Sequence, residues 1–267
     1  MIMGVRPLVL LAATVSAGAM DACPNQAHTH RFTSTTFGRI YPSELTVGAT
    51  FASSDAMLKQ IFDHAEECES KNTKEFLPGL ANVVEGAGYG NVWLETQPMA
   101  GAMWAVRNLT QALANQLVFM RTQRDDGRLP GMVTTDGKGN LTSVYCLGQN
   151  VTDGGESLLQ GQYFSMPAVD VAFFLNMSSG PTAKSDTLSY LKELHVVLES
   201  FDGWMWRSRS GTGPLKDVLW TPGASDWGGD GFDGYGGYEP PFSSMDMMAC
   251  ACHLPPLTGR TARPAAR

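Results

Sequence analysis

Met103-Trp-Ala-Val106-Arg-Asn-Leu-Thr110-Gln-Ala-Leu113-Ala-Asn-Gln-Leu117-Val-Phe-Met120 is the stretch whose reading decides the fold. Met103, Val106, Thr110, Leu113, Leu117 and Met120 recur at alternating steps of three and four, the spacing of one continuous apolar stripe along a helix. Asn108 falls roughly opposite that stripe. The same periodicity returns on either side. Met57, Leu58, Ile61, Phe62 and Ala65 share one helical face behind Ser54, the expected N-cap. A helix is expected after Pro167, with Val169, Ala172, Phe173 and Met177 at helical spacing. Another runs from about Lys184, with Leu188, Leu191, Leu194, Leu198 and Phe201 on one face, and Gly203 closes it. Ser243 or Ser244 is the expected cap of a last helix that starts at Met245 and is cut in its first turns.

The intervening segments read as loops. Residues 20–50 are polar and rich in Thr and His; residues 70–98 hold several Gly and a Pro. Asp126-Gly127, Asp136-Gly137 and Asp153-Gly154 are turn signals. Few segments alternate with period two. The expected fold class is therefore mainly α, helices joined by loops of ~30 residues, and loops that long are usually functional or disordered.

Charge and composition narrow the function. The 267 residues include 26 acidic and 19 basic side chains, for a net charge of −7. That balance argues against a nucleic-acid partner, whose footprint is a basic face. The longest apolar run, Pro7 to Ala19, is short of the ~20 residues of a membrane-spanning helix. Its order (charged start, apolar middle, small residues) is that of a secretory signal peptide over 1–19. Sequons at Asn108, Asn140, Asn150 and Asn176 agree with a secreted or endomembrane-luminal glycoprotein. The five cysteines (Cys23, Cys68, Cys146, Cys250, Cys252) follow no zinc spacing, and Cys68 and Cys146 read at least as well as small buried side chains. From Cys252 the composition switches to three prolines and three arginines with no acid, a disordered or aberrant tail over 252–267.

Three loop clusters could carry chemistry. They are Gly90 to Pro98 with Trp93 and Glu95, Gln123 to Val133 with Arg128, and Trp220 to Glu239 with Asp226, Asp230 and Asp233. Aromatic rings stack on apolar sugar faces, and Asp, Glu, Gln and Arg bind hydroxyls. The same carboxylates can serve acid or base catalysis. An EF-hand reading fails, because counting back from Glu239 as position 12 puts Gly228 at position 1. His64 with Cys68, and His195 with Glu199, share helix faces, but two ligands fall short of the three or four of a zinc site. No metal and no cofactor are expected.

Trp93-Leu-Glu-Thr-Gln-Pro-Met, the Asp126-Gly-Arg-Leu-Pro-Gly131 core, Gln160 to Asp170, and Pro241-Phe-Ser-Ser-Met-Asp-Met-Met resemble segments of six-hairpin glycosidases. The resemblance is to the group around glycoside hydrolase family 63 and covers about residues 50–250. It implies an (α/α)6 toroid, here incomplete and spanning 51–251, and inverting hydrolysis of an O-glycosidic bond in an oligosaccharide or glycoside. It also implies that Asp233, or Asp230 next, is the general acid, with Trp93, Glu95, Arg128, Gln160, Trp220 and Asp226 around the sugar. No residue is assigned as the base, so the chain by itself is expected to bind sugar weakly and turn over nothing. The alternatives are a non-catalytic carbohydrate-binding protein and a structural helical protein.

Overall fold

The computed structural model describes residues 27–32, 37–38, 51–86, 88–145 and 164–209. Five helices make up about half of these, and six short strands form two antiparallel sheets. The mainly α toroid expected from the sequence is therefore wrong. The described residues form a mixed α and β structure.

The central helix is α3 (Leu109–Met120), and it is buried on nearly every side. Helix α2 (Gln97–Trp104), α4 (Ser165–Met177), α5 (Ala183–Arg209) and strand β3 (Leu80–Val83) all pack against it. A helix surrounded in this way is apolar around its circumference, as Leu109-Thr-Gln-Ala-Leu-Ala-Asn-Gln-Leu-Val-Phe-Met largely is. The continuous stripe from Met103 does not exist. Asn108 breaks it: its extended backbone and its side-chain Oδ1, which accepts from Gln111 N at 3.1 Å, start a new helix. Met103 stays in α2 and is 78% exposed.

The sheets occupy segments that read as loops. β2 (Thr73–Leu77) and β3 pair as a two-stranded sheet. The larger sheet has the order β1-β6-β5-β4, from Ala27–Arg31, Asn140–Val144, Met132–Thr135 and Val92–Trp93. The β5–β6 hairpin turns through Asp136 to Gly139. Asp136 Oδ1 accepts from Lys138 N (2.8 Å) and Asn140 N (3.2 Å), and Gly137 takes φ 71°. The Asp-Gly turn signal is thus realised here. β1 belongs to the segment read as an irregular lead-in, and it pairs in full with β6.

Three helices form where their periodicity placed them, but the faces it assigned are buried only in part or not at all. α1 (Ala56–Lys71) is capped by Asp55, whose Oδ1 accepts from Met57 N and Leu58 N, rather than by Ser54. Its apolar face stays open, with Met57, Leu58 and Ile61 all exposed. In α4 the core takes Ala168, Val171, Ala172 and Leu175, leaving Val169, Phe173 and Met177 outside. In α5 the buried line is Tyr190, Leu194, Val197, Leu198, Phe201, Trp204 and Met205, so Leu188 and Leu191 lie off it. Gly203 does not end α5, which continues to Arg209. Among the described residues no helix is long and apolar enough to cross a membrane.

Candidate functional site

The clearest cluster lies where β4 meets the α3–β5 loop. Trp93 pairs with Met132, and Leu94 N donates to Gly131 O at 2.9 Å. That ladder sets Trp93 and Glu95 beside the loop carrying Arg128. The turn after β4 is held from within: Trp93 N donates to Gln97 Oε1 at 2.5 Å, and Thr96 Oγ1 donates to Glu85 Oε1 at 2.6 Å. From below, Asn115 Nδ2 donates to Gln97 O (2.9 Å) and Gln116 Nε2 to Pro98 O (2.7 Å). Gly101 permits that approach, since a Cβ there would meet Asn115 Cβ at 2.7 Å.

Trp93 is half-buried, and its Nε1, itself buried, has no partner among the described residues. Tyr89, exposed, presents its ring edgewise at 6.4 Å. Glu95 is buried, and Arg128 is buried at 2% exposure with its guanidinium 5.0 Å from the centre of the Trp204 ring. The Tyr89 and Trp93 rings are thus the accessible part of this corner, while Glu95 and Arg128 are both buried.

The Arg128 loop is itself clamped. Asp126 takes a two-point pair from Arg124 (2.8 and 2.5 Å) and accepts from Arg128 N at 3.2 Å. Burial acts to raise the Asp126 carboxyl, but the Arg124 guanidinium and the Arg128 backbone N–H outweigh it, and its pKa lies below the ordinary value. Gln123 Nε2 bridges Gly127 O (2.8 Å) and Val197 O (2.9 Å), docking the loop on α5. Gly127 sits against that helix at φ 98°, where a Cβ would meet Ser200 O at 2.1 Å. Arg207 Nη2 donates to Asp126 O at 2.5 Å, so α5 ends at this corner.

The β4–β5 ladder therefore joins the turn that carries Trp93 and Glu95 to the end of the loop that carries Arg128. Gln160, Trp220, Asp226, Asp230 and Asp233 lie outside the described residues, as do Asn150 and the Met245 helix. Asn108 and Asn140 are engaged in a cap and in a bond to Asp136 Oδ2, whereas Asn176 is exposed. His64 Nε2 and Cys68 Sγ are 3.9 Å apart on the outer face of α1, and Cys68 is exposed rather than buried. Among the described residues no group of three metal-binding side chains forms. The sequence reading missed Asn115 and Gln116, the polar pair that supports the site. Their signal was a polar dipeptide inside the apolar run Leu113 to Met120.

No protein-family model matches the chain, and neither a curated protein nor a solved structure shows significant similarity to it.

Proposed function

We propose that the chain is a glycoside hydrolase of the endomembrane or secretory route that binds an oligosaccharide through the Trp93–Glu95 turn. The observation that carries this reading is the pinned turn itself. It pairs the half-buried Trp93 indole with the exposed Tyr89 ring, and the buried Glu95 follows two residues on in the same turn. Such a surface suits a ligand with one apolar face and many hydroxyls. Arg128, buried with its guanidinium against the Trp204 ring, acts as a positioning residue for its own loop. The motif resemblance supplies the reaction class: inverting acid and base hydrolysis, with Asp233 or Asp230 as the acid.

Binding is the first readout, since it needs only the turn and its neighbours. The full chain is titrated with a panel of disaccharides and aryl glycosides while indole fluorescence is followed. Saturable quenching that weakens about tenfold in Trp93→Ala, a loss of roughly 1.4 kcal/mol, is expected. Hydrolysis is followed in parallel by the anomer released. Inverted product, reduced about 10²–10⁴-fold by Asp233→Asn or Asp230→Asn, identifies the acid. Binding with no turnover is the outcome expected of a chain with no base assigned, and it leaves a sugar-binding protein standing beside the hydrolase. Neither binding nor turnover across the panel ends the carbohydrate reading.

A further inference from the structure

Helix α4 presents an outward ridge of Met166, Val169, Phe173 and Met177, each at least half exposed, at 61%, 50%, 61% and 55%. Such a ridge is a liability in water, because contiguous exposed apolar area invites association. Asn176 lies along its flank, one turn after Phe173 and two turns after Val169. We infer that Asn176 carries an N-linked glycan whose sugar faces lie over Phe173 and Val169 and cover this ridge.

Three observations support the assignment. The first is direction. Helical side chains lean toward the N-terminus, over the preceding turn, so a group on Asn176 Nδ2 is aimed at Phe173 rather than at open solvent. The second is the platform. The Phe173 ring stands edgewise on Phe174 at 6.0 Å, and Phe174 packs on the core, which holds the outer ring in place for sugar C–H faces. Ser178, the last residue of the sequon, fixes the end of the helix by donating from Oγ to Leu175 O at 2.8 Å. The third is contrast with the other described sequons. The Asn108 side chain caps α3, and Asn140 Nδ2, the atom a glycan would occupy, donates to Asp136 Oδ2 at 2.5 Å. The Asn176 amide bonds to none of the described residues, so its modification breaks no hydrogen bond among them.

The inference rests on the secretory route proposed above, and the experiment separates the two. The full chain is expressed in a glycosylating cell twice, with its own N-terminus and behind a foreign leader peptide. Occupancy at each sequon is read by mass spectrometry after enzymatic deglycosylation. Asn176 is expected to be occupied in the foreign-leader arm, with Asn176→Gln removing one glycan's mass step. Asn176→Gln is also expected to lower the yield of soluble chain several-fold, and Asn176→Gln with Phe173→Ser to restore it. Occupancy in the foreign-leader arm alone sinks the localisation reading and leaves this one standing. An empty Asn176 in a chain that reached the lumen overturns it. So does an occupied Asn176 whose removal leaves the yield unchanged.

Discussion

Asn115 pairs with Val83 as a neighbouring strand would: its Oδ1 accepts from Val83 N at 2.9 Å and its Nδ2 donates to Val83 O at 3.1 Å. The side chain of a central helix thereby satisfies both backbone groups at the last residue of β3. Its second amide hydrogen reaches Gln97 O, so one residue joins the small sheet, α3 and the turn that carries Trp93 and Glu95.

Replacing Asn115 by Ala strands three buried backbone groups, each costing about 1–3 kcal/mol when unsatisfied. A loss of about 3 kcal/mol or more is expected in urea denaturation. Asn115→Asp keeps the acceptor for Val83 N but loses both donors, and it should be no better than the alanine variant. A loss below about 1 kcal/mol for both would remove Asn115 from this role.

Gly127→Ala tests the docking of the Arg128 loop on α5. The left-handed conformation alone costs a residue with a Cβ about 1–2 kcal/mol. Contact with the Ser200 carbonyl adds the cost of overpacking, about 1–3 kcal/mol. Thermal melting should show the sum, whereas Gly137→Ala, strained in φ but with open space around it, should show only the first part. Equal losses at the two positions would contradict the close packing.

Asp126 makes stability depend on pH with a defined sign. Its pKa is lower folded than unfolded, so its contribution is complete above the ordinary carboxylate range and is lost as pH falls through the folded value. Asp126→Asn should therefore be less stable than the parent at neutral pH, with the gap narrowing below about pH 4. A gap that widens in acid would invert the assignment.

Arg107 holds α1 to the body of the protein. Its guanidinium lies 4.4 Å from the centre of the Phe62 ring and pairs with Glu66, while α1 itself has no fully buried residue. Arg107→Ala is expected to speed protease cleavage within residues 56–71 severalfold, with little change in the main melting transition. Unchanged cleavage would remove Arg107 from this role.

The helices were legible because 3.6-residue periodicity survives in a single sequence, and the Asp-Gly turns because glycine tolerates positive φ. Which helix face turns inward was not legible. Val169, Phe173 and Met177 make as good a stripe as Val171, Ala172 and Leu175, and only the neighbours decide between them. The strands were missed for a related reason. Thr73-Lys-Glu-Phe-Leu and Val92-Trp93 are too short for alternation to register, and their pairing depends on partners distant in sequence. Of the candidate site, Trp93, Glu95 and Arg128 stood out as polar or aromatic residues in glycine-bearing loops. The β4–β5 ladder that joins their two segments has no local signature.

The pairing of β1 with β6 bears on how the chain is made. Thr29 and Thr142 face each other across the two strands yet stand 113 residues apart. At a synthesis rate of about 5–20 residues per second, β1 leaves the ribosome ~6–20 s before its partner exists. Throughout that interval its backbone donors and acceptors are open to any passing strand. The larger sheet cannot be completed until the β5–β6 hairpin has emerged and turned back to collect a segment that has been waiting unpaired since it emerged.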